Sequence, residues 1–442
     1  MNAREIALKI INDVHTNDAY ANVSLTRELR KHEVSDQDRR FVTELVYGCV
    51  KAGDSLDWIL CQYINRPIKK IAPIIQDVLR LGIYQIFFMD KVPESAACNQ
   101  SVELAKKYGH VGTVKFVNAV LRNAVRQPEK AVYPNGKGQA TKYAALTYNH
   151  PEWLVKRWIK EFGYEMTIKL CEFNNMNAAL SIRTNTLKIN RSDLMNILSA
   201  EQVECQESEW TPEGLVCQSH PAMDQIESLK EGLFQVQDES SMLVAHVLDP
   251  QPGEFIIDTC SAPGGKTTHI AALMQNKGRV LATDIYEHKL KRVNENAVRL
   301  GIEIIQTELL DATQIGDVYE NQADRVLVDA PCSGLGVLRR KPDARWRKSP
   351  ALLVELPKLQ LEILKSAAKA VKSGGVLVYS TCTIAKEENQ TVVNLFLADH
   401  PEFELEQTGQ FLPYAKQETT MVQLLPHIAG TDGFFIARMK RK

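Results

Sequence analysis

Across 442 residues no apolar run comes near the roughly 18 to 20 residues that a membrane span requires. The opening stretch, Met1 to Val14, reads as an amphipathic helix rather than a signal sequence, so a cytoplasmic protein is expected. Neither a CxxC pair nor a Cys/His cluster at zinc spacing is present, and no metal is expected. The nine cysteines are odd in number and share no short repeated spacing, which argues against a disulfide framework. Most of them, such as Cys49, Cys61, Cys98, Cys171, Cys205 and Cys217, read as small core residues. GxGxxG is also missing, which counts against a dinucleotide.

What remains is a chain with 44% apolar residues, enough for two or three domains with cores of their own. Its net charge of −1 hides an asymmetry: residues 1–150 hold 21 Lys and Arg against 15 Asp and Glu, and the remainder is acidic. A basic front end suggests a module that meets a polyanion. Nothing in the sequence requires an oligomer, and a monomer is expected.

From Ala3 to about Gln127 apolar residues recur at helical spacing, as in Ile6, Ile10, Ile11 and Val14 or Val78, Leu81, Ile83 and Ile86. An all-helical domain over residues 1–130 is expected, followed by a linker over 131–150 that contains Pro134-Asn135-Gly136-Lys137-Gly138. Residues 151–235 read as a small α+β module: two amphipathic helices, the strand-like Leu180 to Thr186, and a further helix from Ser192 to Ala200. In residues 236–442 strands near 254–258, 279–284, 303–308, 325–329, 375–380 and 433–438 alternate with helices near 266–275, 287–301, 350–372 and 386–398. That is the pattern of a doubly wound α/β sheet of Rossmann-like type. Val326-Leu327-Val328 and Val376-Leu377-Val378 are continuously apolar, as parallel strands buried on both faces must be.

The segment Asp258 to Thr268 follows the first of these strands and opens a helix, so Gly264 and Gly265 let backbone N–H groups approach a nucleotide-like ligand. A phosphate-binding loop of the GxxxxGK[ST] kind needs glycine at 260, where this chain has cysteine. Asp284 stands 20 residues beyond Gly264, a spacing that suits ribose hydroxyls and hence an adenosyl ligand; Asp311 is placed to meet adenine. Asp258, Asp284, Asp311, Asp329, Cys332 and Cys382 all fall at the carboxyl ends of strands, where a doubly wound sheet binds its ligands. Two thiols there suggest covalent chemistry. Carbon 5 of cytosine is a poor nucleophile until a group adds at carbon 6, and a thiolate suits that reversible addition.

Ala262 to Lys266 as APGGK, Asp329 to Gly334 as DAPCSG and Ser380 to Cys382 as STC together resemble the RNA cytosine carbon-5 methyltransferases of the Sun/Fmu/NOL group. Phe234 to Ser241, and Arg340-Lys341-Pro342-Asp343 with Trp346, are also family-like. Leu45-Val46-Tyr47-Gly48, Val92 to Asn99 and Lys115 to Arg122 resemble the NusB-like helical RNA-binding domain found in the branch that acts on bacterial small-subunit ribosomal RNA. The likeness covers nearly the whole chain; Thr259 and Ser261 stand where Leu and Ala are common, and Lys341 where His is common.

The resemblance implies S-adenosylmethionine as cofactor and a cytosine of 16S ribosomal RNA, free or in an early small-subunit particle, as substrate. It implies Cys382 as the nucleophile at carbon 6 and Cys332 as the residue that helps release the product, with Asp329 and Lys266 supporting the base. Cofactor contacts are expected from Cys260, Ser261, Ala262, Pro263, Gly264, Gly265, Lys266, Asp284, Asp311 and Asp329. RNA contacts are expected from Arg339, Arg340, Lys341, Arg345 and Trp346. Two other readings stand beside it: a ribosome assembly factor that binds RNA with little catalytic role, and a transfer RNA cytosine-C5 methyltransferase.

Overall fold

The structure, a computed structural model, describes every residue except Glu33, Ala415 and Gln417. Two compact units divide the chain: Met1–Met176 with Leu338–Lys348, and Asn177–Val337 with Ser349–Lys442. No helix among the described residues is long and apolar enough to cross a membrane.

The first unit is helical: α1 (Ala3–Thr16), α2 (Ala21–Lys31), α3 (Asp36–Cys61), α4 (Pro73–Phe88), α5 (Glu94–Tyr108), α6 (Val111–Arg126), α7 (Ala140–Thr147), α8 (Glu152–Phe162) and α9 (Tyr164–Asn175). Helix starts follow local chemistry. The Asn2 side chain accepts from the Glu5 N–H at 2.9 Å, Ser35 accepts from the Asp38 N–H at 3.1 Å, and Pro73 opens α4 where its missing N–H goes unneeded. Ile6, Ile10, Ile11, Val14, Val78, Leu81 and Ile83 are buried in one core, as their spacing requires.

Three expectations change here. The stretch expected to be a linker contains α7, whose Ala144, Ala145 and Leu146 are buried. The helices expected to open the second module, α8 and α9, belong to the helical unit. Cys61, expected in the core, is exposed, whereas Cys49, Cys98, Cys171 and Cys217 are buried and Cys205 is partly so.

The strap Leu338–Lys348 completes this unit, and it is where RNA contacts were expected. Arg345 is fully buried: Nη1 donates to Asn149 O at 2.7 Å and Asn175 Oδ1 at 2.8 Å, and Nη2 donates to Asn174 O at 3.0 Å. The Trp346 indole N–H donates to Val50 O at 2.8 Å, at the kink of α3, where Gly53 has φ +34°. A Cβ on Gly53 would lie 2.4 Å from the Trp346 ring, so only glycine permits both this backbone and this approach. Arg339 stacks over the Phe173 ring at 4.6 Å and Arg340 is half-buried. Arg345 thus offers no surface to RNA, since it is buried and both terminal nitrogens are spent inside the unit; Trp346 is half-buried with its N–H used on Val50, and of the five Lys341 alone is exposed.

The second unit opens with a four-stranded antiparallel sheet of β1 (Leu180–Thr184), β2 (Glu204–Glu207), β3 (Gly214–Ser219) and β4 (Phe234–Val236) in the order β2-β3-β1-β4. The helix Arg191–Ala200 buries Leu194 and Leu198 against Ile182, Leu215 and Phe234. Cys205 and Cys217 are register partners on β2 and β3 with Sγ atoms 2.7 Å apart.

The larger sheet contains β5 (Phe255–Asp258), β6 (Arg279–Asp284), β7 (Ile305–Leu309), β8 (Ala323–Asp329), β9 (Val371–Thr381), β10 (Phe403–Leu405), β11 (Met421–Leu424) and β12 (Phe434–Arg441). Their order is β10-β12-β9-β8-β5-β6-β7, with β11 on β12. The five strands β5 to β9 are mutually parallel, but β10, β11 and β12 pair antiparallel, so the sheet is mixed. The chain winds outward through β6 and β7, then returns to place β8 beside β5. A crevice opens at such a reversal, outside the carboxyl ends of the two strands. One further expectation shifts: the helix predicted from 386 begins at Gln390, because Lys386 to Asn389 form a turn.

Candidate active site

The crevice is built around the ends of three strands of the second unit. β5 ends at Asp258 and turns through Cys260 to Gly264, where φ of +97° lets the chain reverse into the helix Gly265–Leu273. β8 ends at Asp329 and leads to Cys332; β9 leads to Cys382. These loops border a cavity of about 270 Å³ lined also by Gln237, Asp238 and Phe434.

At its centre Lys266 Nζ donates to Asp329 Oδ2 at 2.7 Å, and Ser380 Oγ donates to Oδ1 at 2.9 Å. Lys266 also lies over the Phe434 ring at 4.9 Å. Burial opposes its charge, yet Asp329 outweighs that penalty, with Cys382 a smaller favourable contribution, and the lysine stays above its usual range. Lys266 therefore remains a fixed cation beside the carboxylate.

Cys332 Sγ and Cys382 Sγ are 3.3 Å apart. The Cys332 thiol, held by that contact and partly desolvated, is pushed well above the usual thiol range. Asp258 is buried beneath the glycine turn, and desolvation raises it to about 7 despite a 2.7 Å hydrogen bond from Thr267 Oγ1. Its Oδ1 has no protein partner. A buried polar atom left open beside a cavity fits a ligand that carries hydroxyl or amino donors.

Of the residues expected to hold the cofactor, Cys260, Ser261, Ala262, Pro263, Gly265, Lys266 and Asp329 line the cavity, and Gly264 shapes the turn behind it. Asp284 and Asp311 do not line it. Asp284 closes β6 next to Leu309 of β7, with the exposed Ile285 and Tyr286 following, so a carboxylate and apolar surface share this edge. The Asp311 carboxylate instead accepts from Thr313 N at 2.9 Å and Thr313 Oγ1 at 2.8 Å, capping a short turn.

Arg183 of β1 is a site-supporting residue absent from the sequence-based set. Fully buried, it donates from Nη1 to Gly265 O at 2.7 Å and to Gln237, and from Nη2 to Thr268 Oγ1 at 3.0 Å, which fixes the start of the helix carrying Lys266. An arginine inside an otherwise half-apolar strand was the available signal. Behind the same helix, Glu213 lies 2.9 Å from both His246 Nε2 and His269 Nε2. The two rings cross edge to face at 5.3 Å between centroids.

Comparison with known proteins places these features in a family. Residues 245–440 match the model described as 16S rRNA methyltransferase RsmB/F, residues 1–126 the NusB family, and residues 150–224 the RsmF/B-like ferredoxin-like domain. The probable ribosomal RNA small subunit methyltransferase B of Bacillus subtilis is 40% identical, covering 99% of this chain and 98% of that one. The probable enzyme of the same name from Synechocystis is also 40% identical, with both chains covered completely. Among solved structures, PH0851 superposes with a TM-score of 0.84 at 29% identity, over 100% of this chain and 99% of that one. NSun6 from Pyrococcus horikoshii, solved with SFG, has a TM-score of 0.60 at 25% identity, over 66% of this chain and 98% of its own.

A parallel-cored α/β sheet with a glycine turn at its reversal, preceded by a helical NusB domain, defines a methyltransferase of Rossmann-like fold. Within that class identity runs over the whole length rather than over the catalytic domain alone. The chain belongs to the ribosomal RNA small subunit methyltransferase B family.

Proposed function

We propose that the protein methylates carbon 5 of a cytosine in 16S ribosomal RNA, in the cytoplasm, through a covalent adduct between Cys382 and carbon 6 of the base. The observation that carries this reading is the pair of thiols 3.3 Å apart, one of which, Cys382, lines the same cavity as the Lys266–Asp329 ion pair. S-adenosylmethionine, when bound, supplies an electrophilic methyl group on sulfur. The donors and acceptors around Cys260 to Lys266, the open Asp258 Oδ1, and Asp284 with its apolar neighbours suit an adenosyl group that bears an amino acid.

In this mechanism the Cys382 thiolate adds to carbon 6, and electron density moves through the ring to carbon 5, which takes the methyl group. The Asp329 carboxylate, held in place by Lys266 and Ser380, accepts from the amino group of the base, and the Lys266 ammonium beside it offsets the negative charge that gathers on the N3 and amino edge. A water at the crevice takes the carbon 5 proton, which re-forms the double bond and expels Cys382 as thiolate. Cys332, a protonated thiol in the resting site, is the neighbouring group through which that release is assisted. The base must leave any helix to reach the crevice, so the target is unpaired or everted.

Incubation of the purified protein with S-adenosylmethionine carrying a labelled methyl group and unmodified 16S RNA, followed by nucleoside analysis, tests the reading. Label in 5-methylcytidine is expected; label in any other nucleoside, or none, overturns it. Parallel reactions with transfer RNA distinguish the remaining substrate.

A further inference from the structure

The turn Lys386–Asn389, which displaces the expected helix start, contains Glu388, a carboxylate with no exposed surface. Both of its oxygens accept hydrogen bonds from the loops that carry the two cysteines. The Ser333 N–H donates to Oε2 at 2.8 Å and the Ser333 hydroxyl donates to Oε1. The Thr383 hydroxyl donates to Oε1 at 3.3 Å and lies 2.8 Å from Ser333 Oγ. Gln360 Nε2 donates to Oε2 at 3.0 Å and to Pro331 O at 2.9 Å. Ser333 is the residue after Cys332, and Thr383 is the residue after Cys382.

We propose that Glu388 is a positioning residue that sets the spacing of Cys332 and Cys382 by clamping the residue beyond each to a single carboxylate. The proposal rests on the covalent reading above. Burying a carboxylate is unfavourable unless its lone pairs are filled. Here all four bonds run toward Glu388, which an ionised carboxylate accommodates and an amide does not, since glutamine would turn an NH₂ group toward donors. Its own backbone is fixed too: the Glu388 carbonyl accepts from the Tyr379 hydroxyl at 2.6 Å, and Asn389 Nδ2 donates to Thr383 O at 3.0 Å. Glu388 thus ties β9, the Cys382 loop and the Cys332 loop into one rigid piece. A thiol displaced by about 1 Å from a reacting carbon loses on the order of a hundredfold in rate.

The test uses the full-length protein, 16S RNA and S-adenosylmethionine. Glu388→Gln is expected to lower kcat at least about tenfold while KM for RNA and for S-adenosylmethionine stays within about twofold. Thr383→Val, which removes one bond and keeps the volume, is expected to show a smaller loss of the same kind, and it decides the matter if Glu388→Gln does not fold. A kcat within twofold of wild type in Thr383→Val and in folded Glu388→Gln overturns the proposal, as does a loss that falls on KM alone. Should Cys382→Ala retain full activity, the covalent reading fails instead, so the two failures are distinguishable.

Discussion

Cys332 and Cys382 are 50 positions apart in the chain, yet their Sγ atoms approach to 3.3 Å. Register explains it: β8 and β9 run parallel with Asp329 beside Ser380, so each strand delivers its thiol just past the same edge of the sheet. Proximity of that kind separates two roles that identical side chains would otherwise share.

Cys382→Ala is expected to abolish methyl transfer to 16S RNA, because the other two thiols at the crevice are held protonated: burial pushes Cys260 up to about 12, and Cys332 is also well above the usual thiol range. Cys332→Ala is expected to accumulate a covalent protein–RNA complex, visible as a band that survives denaturing electrophoresis. An active Cys382→Ala, or a Cys332→Ala that turns over without an adduct, contradicts the division of labour.

Lys266→Met removes the cation that neutralises Asp329 and faces Cys382. A fall in kcat of about a hundredfold is expected, the usual scale for loss of one preorganised charge. Because a nearby cation favours the thiolate, the acid limb of the pH–rate profile should also move to higher pH. Lys266→Arg should keep that limb closer to its wild-type position.

Arg345→Ala leaves Asn149 O, Asn174 O and Asn175 Oδ1 without their donor. Stability of the helical unit should drop by about 3 kcal/mol, measured by denaturant unfolding, since each stranded buried acceptor is penalised. Lys341→Ser, at an exposed neighbour, should leave the midpoint unchanged. Equal effects from the two substitutions would mean that the strap is not a structural part of the unit.

The Glu213–His246–His269 cluster gives stability a pH dependence. Burial, and then Arg183, depress His269 to about 4, so the unfolded chain binds a proton there that the folded one refuses. Stability is fully present above the ordinary histidine value near 6.5 and is lost as pH falls from there toward 4. Glu213, held below the usual carboxylate range against the desolvation of its own burial by the two histidines, acts in the same direction at lower pH. His269→Gln should flatten the stability profile between pH 6.5 and 4, measured by thermal unfolding; an unaltered slope would place the titration elsewhere.

Much of this site was legible because parallel strands buried on both faces announce themselves as apolar runs and must end at one edge. Val326 to Val328 and Val376 to Val378 located Asp329, Cys332 and Cys382 in that way. Arg345 and Trp346 were not legible: a cluster of arginines has the same composition whether it faces phosphate or three carbonyl and amide oxygens. Nor was Glu388, since helical spacing continues through it and only its partners Ser333 and Gln360, distant in sequence, reveal its position. The antiparallel edge was hidden for a related reason, as β10 and β11 are too short to show any period.

The strap has a bearing on how the protein is made. Because Leu338–Lys348 supplies part of the helical unit, no continuous fragment from the N-terminus to Met176 contains all of it. During synthesis, Asn149, Asn174 and Asn175 emerge long before Arg345 does. The helical unit is therefore begun first and finished late, and its final hydrogen bonds form only after the strands bearing Asp258 and Asp329 have left the ribosome.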